Sequence, residues 1–175
     1  MDNVIIINGM PASGKSTIST ILAETFMQKG INVKIIFGDL FANISYGCKY
    51  TESEIDLKYE NITSVLRNLF ELNGIVIIDD FFKRKKDFEN IKELISSNGL
   101  EVITVQIQCG LEERIIRDSF RYSGKRLGKE KMIEYEINYG KINGGMDCIC
   151  EVNTEMNGIK ESVNKIIDYI QKQVN

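Results

Sequence analysis

Nine consecutive residues constrain this chain more than any other stretch: Gly9-Met10-Pro11-Ala12-Ser13-Gly14-Lys15-Ser16-Thr17. They satisfy the pattern G-x-x-x-x-G-K-[ST] without a substitution. The flanks agree with it. Val4-Ile5-Ile6-Ile7 is an apolar β-branched run of the buried-strand kind. Ile18, Ile21, Leu22, Thr25 and Phe26 follow on a helical period. Gly9 and Gly14 let the backbone turn tightly, so that successive N–H groups point inward at an anion. The N-terminus of the following helix adds unpaired N–H groups and partial positive charge. Lys15 is placed to reach the β- and γ-phosphates of a nucleotide, and the Ser16 hydroxyl to ligate Mg²⁺. The expected phosphate-binding residues are therefore Gly9, Ala12, Ser13, Gly14, Lys15, Ser16 and Thr17.

The chain has 175 residues, the size of one domain with a substantial core. A net charge of −3 is too small to argue for nucleic acid or an anionic membrane as partner. No apolar run reaches the roughly 18 residues of a membrane span, and Met1-Asp2-Asn3 begins no signal peptide, so the cytoplasm is the expected compartment. The chain contains no histidine, which excludes Ser-His-Asp and Cys-His catalysis. It also narrows a general base to carboxylate, lysine or tyrosine. Cys48, Cys109, Cys148 and Cys150 form no C-x-x-C pair, so reduced, mostly buried thiols are expected rather than a zinc site.

Further strands read at Asn32–Phe37, Ile75–Ile78, Val102–Ile107 and, more weakly, Asp147–Val152. Leu40 to Tyr50 reads as irregular. Thr51-x-x-Glu54 is a capping box opening a helix to about Leu72, with Ile55, Tyr59, Ile62, Val65, Leu66 and Leu69 on its apolar face. Helices are also expected from about Asp87 to Ser97, from Leu111 to about Tyr122, over Lys129–Tyr139 and from Gly158 to Val174, the last with Ile159, Val163, Ile166, Ile167 and Ile170 inward. Gly140 to Gly145 reads as a loop. Strands alternating with helices predict one α/β domain over 1–175, a doubly wound sheet of five parallel strands in three layers. Its ligands should bind beyond the C-terminal ends of the strands.

Acidic residues stand at those ends. Ile75-Val76-Ile77-Ile78-Asp79 reads as a strand whose terminal carboxylate holds Mg²⁺, directly or through water. Asp80 should point the other way, toward an acceptor or a lid. Asp39 follows the second strand, where a carboxylate facing the γ-phosphate could orient an alcohol and accept its proton; Asp80 is the reserve choice. Arg114, Arg117 and Arg121 share one face of a helix, with Arg126 beyond. Arginines of a mobile lid around 114–128 would stabilise charge on a transferring phosphoryl group, with Arg117 and Arg121 closing over it. Lys83-Arg84-Lys85-Lys86 reads as a solvated loop. Tyr46, Tyr50, Tyr135 and Tyr139 read as core packing before they read as a pocket lining.

Together these residues resemble the P-loop small-molecule kinases, among them adenylylsulfate, gluconate, shikimate and nucleoside kinases. Within that group the likeness is strongest to chloramphenicol phosphotransferase. It rests on Phe37-Gly38-Asp39-Leu40, Ile77-Ile78-Asp79-Asp80-Phe81-Phe82, Cys109, Arg117 with Arg121, and Glu151-Val152-Asn153-Thr154. The resemblance implies a P-loop kinase sheet in the order 2-3-1-4-5, ATP as donor, Mg²⁺ as cofactor and Asp39 as the base. Adenylylsulfate and polynucleotide kinases follow their aspartate closely with an arginine that holds an acceptor phosphate. Here Ala42 stands three residues after Asp39, which favours a neutral hydroxyl compound. The expected function is transfer of the γ-phosphate of ATP to a hydroxyl of a small molecule, an antibiotic such as chloramphenicol being one case. A nucleoside or nucleotide kinase and a nucleotide switch that only hydrolyses its ligand are the alternatives. The oligomeric state, monomer or homodimer, is open at this stage.

Overall fold

A computed structural model of the chain describes residues 3–42, 51–144 and 146–174. The strands are β1 (Asn3–Gly9), β2 (Val33–Phe37), β3 (Ile75–Asp80), β4 (Glu101–Gln108) and β5 (Cys150–Asn153). They form one parallel sheet in the order β2-β3-β1-β4-β5, as the resemblance implied. The helices are α1 (Lys15–Gln28), α2 (Gly38–Ala42), α3 (Glu52–Leu69), α4 (Lys85–Ser97), α5 (Leu111–Ser119), α6 (Lys129–Gly144) and α7 (Ile159–Val174).

The two-residue alternation of a strand assigns its side chains to the two faces of the sheet. Ile5 and Ile7 of β1 join Ile77, Ile103 and Val105 in one core, closed by Ile18, Leu22 and Phe26 of α1 and by Val163, Ile166 and Ile170 of α7. Val4 and Ile6 join Val76 and Ile78 in a second core, closed by Ile55, Ile62 and Leu66 of α3 and by Phe88, Ile91 and Ile95 of α4. Both faces are covered, which is why β1 and β3 read as unbroken apolar runs. Gly9 ends β1 where a Cβ would lie 2.6 Å from the Ile107 carbonyl oxygen, so the start of the phosphate loop can approach β4 only without a side chain.

Several expectations are corrected. Leu40–Ala42 is not irregular: it completes the helical turn α2 that begins at Gly38. The remainder of that stretch, including Tyr46, Cys48 and Tyr50, lies outside the described residues. The capping box is present, but α3 stops at Leu69. The Leu111 helix ends at Ser119, and a single 3₁₀ turn over Ser123–Lys125 follows. Helix α6 continues through Gly140 to Gly144 rather than yielding to a loop. An interior glycine costs a helix only about 1 kcal/mol, and the Tyr139 ring just before it is seated edge-on against Phe81. Strand β5 begins at Cys150, where pairing with Val105 starts, and Ile159 at the head of α7 is exposed.

Candidate functional site

The phosphate loop takes its shape from two left-handed residues. Ala12 has φ 62° and Gly14 has φ 97°. Gly14 tolerates this freely, whereas the alanine stores about 1 kcal/mol of strain that the surrounding packing must hold. The Ser13 N–H donates to the Met10 carbonyl at 3.2 Å, which closes the turn. The Lys15 Nζ curls back to the same carbonyl at 3.2 Å. Burial pulls the Lys15 ammonium below the ordinary lysine range, against the opposing pull of Asp79, Asp39 and Asp80. Ser16 and Thr17 are exposed on the first turn of α1.

Asp79 is 4% exposed near the end of β3, the strand between β2 and β1. Desolvation raises its carboxyl above the ordinary aspartate range, although Lys15 and a hydrogen bond from Ser16 work in the opposite direction. Its Oδ2 is buried without a hydrogen-bond partner. A buried acceptor left unpaired costs about 1–3 kcal/mol, so this oxygen is available to a cation that arrives with the ligand. Ser16 hydroxyl, Asp79 carboxylate and the phosphates of a nucleotide form the hard oxygen set that suits Mg²⁺. Among the described residues no cluster of three or more acidic or cysteine side chains makes a protein-only metal cage, so such an ion would depend on the nucleotide's own oxygens.

Asp80, one residue on, belongs to the opposite face of the sheet. Lys58 Nζ lies 2.6 Å and 2.8 Å from its two oxygens, and the Tyr59 hydroxyl donates to Oδ2 at 2.8 Å. It points into α3 rather than toward an acceptor or a lid, and with Asp80 1% exposed that expectation is corrected. The Gly38 backbone rests against the same carboxylate so closely that a Cβ there would overlap it. Asp39 follows at once, exposed on the first turn of α2, and its charge is felt at Lys15, Asp79 and Tyr135. Asp79 pairs in register with Phe37, two residues before Asp39, so Asp39 and Asp79 stand at the same end of the sheet, within electrostatic reach of Lys15.

The three arginines of one helical face have three different surroundings. Arg114 is 1% exposed, donates from Nε to the Cys109 carbonyl at 3.0 Å and is ion-paired to Glu136 of α6. Arg117 turns to the phosphate loop. It bonds Thr154 Oγ1 and the Thr154 carbonyl, each at 2.9 Å, and reaches the Ser13 carbonyl at 3.4 Å. Arg121 lies beyond the end of α5, 3.5 Å from Asp118, with its charge felt at Lys15. Helical spacing gave them a common face, but α6 covers one part of that face and the loop after β5 meets another.

The basic stretch is also more structured than a solvated loop. Arg84 is ion-paired to Glu52 at 2.7 Å, Asp56 at 2.8 Å and Asp87 at 2.6 Å, joining the starts of α3 and α4. Tyr135 packs with Phe81 and Met10 as expected, with Lys83 Nζ 5.1 Å from its ring centre. Burial raises the thiols of Cys109, Cys148 and Cys150, that of Cys148 to about 12, which fits inert cysteines. The sequence reading missed Lys58 and Thr154 as partners of the site. Lys58 is a charge inside the apolar stripe of α3 and could have been noticed there; Thr154 lay in the Glu151–Thr154 stretch of the family resemblance, but nothing in that stretch announced its contact with the phosphate loop.

Comparison with known proteins agrees with this geometry. The adenylylsulphate kinase family profile matches residues 1–133. An adenylyl-sulfate kinase of Thermodesulfovibrio yellowstonii is 34% identical over 119 residues, 66% of this chain and 57% of that protein. A relative from Aeropyrum pernix, named "Probable adenylyl-sulfate kinase", is 30% identical over 117 residues, 66% of this chain and 63% of that protein. Less than two thirds of the length of each of these relatives is thus matched. The solved structure of the Mycobacterium tuberculosis APS kinase CysC in complex with AMPPNP and APS has the same fold, with a TM-score of 0.74 over 97% of this chain and 98% of that one, at 14% identity. The more specific resemblance to chloramphenicol phosphotransferase is not supported, because the matching family and the named relatives are adenylyl-sulfate kinases. With its phosphate loop, its strand order and a match across residues 1–133, the chain belongs to the adenylylsulphate kinase family.

Proposed function

We propose that the protein is an ATP-dependent kinase that transfers the γ-phosphate to a hydroxyl of a small molecule. What supports this reading is the unpaired buried Oδ2 of Asp79 beside the phosphate loop, with Lys15 and the exposed Asp39 within electrostatic reach of one another. The loop amides and Lys15 bind the phosphates. Ser16 and Asp79 would hold Mg²⁺, which when bound neutralises charge on the phosphates. Asp39 orients the acceptor hydroxyl and takes up its proton as the bond to phosphorus forms. Arg121, on the segment after α5, approaches the phosphates from the lid side, within a region around 114–128 that acts as the lid of a single domain.

Adenylyl sulfate is the first acceptor to offer, because the relatives carry its name. Ala42, buried in α2 three residues after Asp39, offers no charge to an acceptor phosphate, which favours an uncharged hydroxyl compound as the second. An ATP-consumption assay over adenylyl sulfate, nucleosides and hydroxylated antibiotics such as chloramphenicol separates these acceptors. With the acceptor found, Asp39→Asn should lower turnover by about 10²–10⁴-fold while ATP affinity stays within a few-fold. Unchanged turnover would remove Asp39 from the base role. ATP loss that no acceptor accelerates would favour a hydrolysing switch instead.

A further inference from the structure

We propose that Thr154 and Arg117 are positioning residues that aim the phosphate loop by holding its Ser13 carbonyl from outside. This rests on the nucleotide-binding reading above and adds a residue that the phosphate-loop motif does not contain.

The peptide linking Ser13 to Gly14 is planar and trans, so its carbonyl and its N–H point in opposite directions. Whatever pins the Ser13 oxygen therefore sets the direction of the Gly14 N–H, one of the donors that faces the anion. The Thr154 hydroxyl donates to that oxygen at 2.6 Å, in a buried bond between residues 141 apart in sequence. Arg117 Nη1 donates to the Thr154 hydroxyl at 2.9 Å and reaches the Ser13 oxygen at 3.4 Å, while Nη2 donates to the Thr154 carbonyl at 2.9 Å. Thr154 is itself fixed by its N–H to the Gln108 carbonyl at 3.0 Å, and Arg117 by Glu113 at 2.8 Å. The clamp thus joins β4, α5 and the segment after β5 to one peptide of the loop.

That peptide needs outside help. The Ser13 side chain is fully buried and its hydroxyl has no partner, so it contributes no restraint. Gly14 has no side chain and sits at φ 97°, where rotation of the neighbouring peptide is least hindered. A Cβ on Gly14 would come within 3.7 Å of both Arg117 Nη1 and Thr154 Cγ2, so the clamp lies directly against it. Without the two donors the Ser13 oxygen would either stay buried and unpaired or turn toward the phosphates, carrying the Gly14 N–H away.

The test uses the full chain and two probes, ATP and inorganic tripolyphosphate, by titration calorimetry. Thr154→Val keeps the shape and removes the hydroxyl; it should weaken both probes by the same factor, about tenfold. Thr154→Ser restores the donor and should bind both within about twofold of the parent. Arg117→Lys keeps the charge but cannot bridge Ser13 and Thr154 together, and should lose affinity as the valine variant does even if that variant folds poorly. Retained affinity in Thr154→Val, a loss confined to ATP, or a serine variant that fails to recover would each overturn the proposal. A parent protein that binds neither probe would instead overturn the nucleotide reading itself.

Discussion

Replacing Lys58 by methionine should destabilise the protein more than any single surface change. Asp80 has a side chain with no solvent exposure, and Lys58, 9% exposed, holds it at 2.6 Å. The remaining partner, the Tyr59 hydroxyl at 2.8 Å, is a neutral donor. Burial and the adjacent Asp80 charge raise the Tyr59 phenol well above its ordinary value, so it stays protonated and donating. Lys58→Met fits the apolar stripe of α3 but strands a carboxylate inside the protein. Removing one partner of a buried pair typically costs 3–5 kcal/mol. In a chain of this size that corresponds to a melting temperature lower by roughly 6–20 °C. Asp80→Asn should cost less, because the flexible lysine stem can carry its ammonium to water whereas the carboxylate cannot move. The double variant, with neither charge, should recover most of the loss. Urea unfolding followed by circular dichroism, with equal slopes required for all four proteins, gives the cycle. A Lys58→Met loss below about 1 kcal/mol would refute the premise that Asp80 is a buried anion balanced by Lys58.

Gly38→Ala places a methyl group onto the Asp80 carboxylate, so the start of α2 must shift. A loss of about 1–3 kcal/mol in urea unfolding is expected, and because Asp39 moves with α2, turnover should fall more than ATP affinity. Equal stability would mean that α2 is not seated on Asp80. Asp79→Asn should stabilise the ligand-free protein at neutral pH while weakening Mg²⁺-dependent nucleotide binding. The sign follows from the raised carboxyl: the folded state holds the Asp79 proton more tightly than the unfolded chain, whose value is near 3.8, so ionisation costs stability as pH rises through the folded value. The variant's advantage in thermal melts with chelator should therefore be present at about pH 7 and vanish toward pH 4. No advantage at any pH would show that Lys15 and Ser16 outweigh the burial of Asp79.

Much of this molecule was legible before folding. The phosphate loop is a local structure whose turns, glycines and helix start lie within nine residues, so its motif carried its geometry. The sheet was legible because strands covered on both faces must be apolar throughout, as Val4–Ile7 and Ile75–Ile78 are. Boundaries were less clear. The helical turn at Leu40–Ala42 and the passage of α6 through Gly140 depend on contacts with β3 and Phe81 that propensity does not encode.

The division of labour among identical side chains needed the tertiary structure. Asp79 and Asp80 are neighbours of the same chemistry, yet one faces Lys15 and Ser16 and the other Lys58 and Tyr59. Arg114, Arg117 and Arg121 share a helical face, yet they meet Glu136, Thr154 and Asp118 respectively. By itself the sequence determined that a cradle for phosphate sits at the end of a parallel sheet, because periodicity and a contiguous motif are local properties. Folding alone decided which carboxylate stays half-satisfied and which arginine holds the loop, because a side chain's role follows from its partners, and these come from residues as much as 141 positions away.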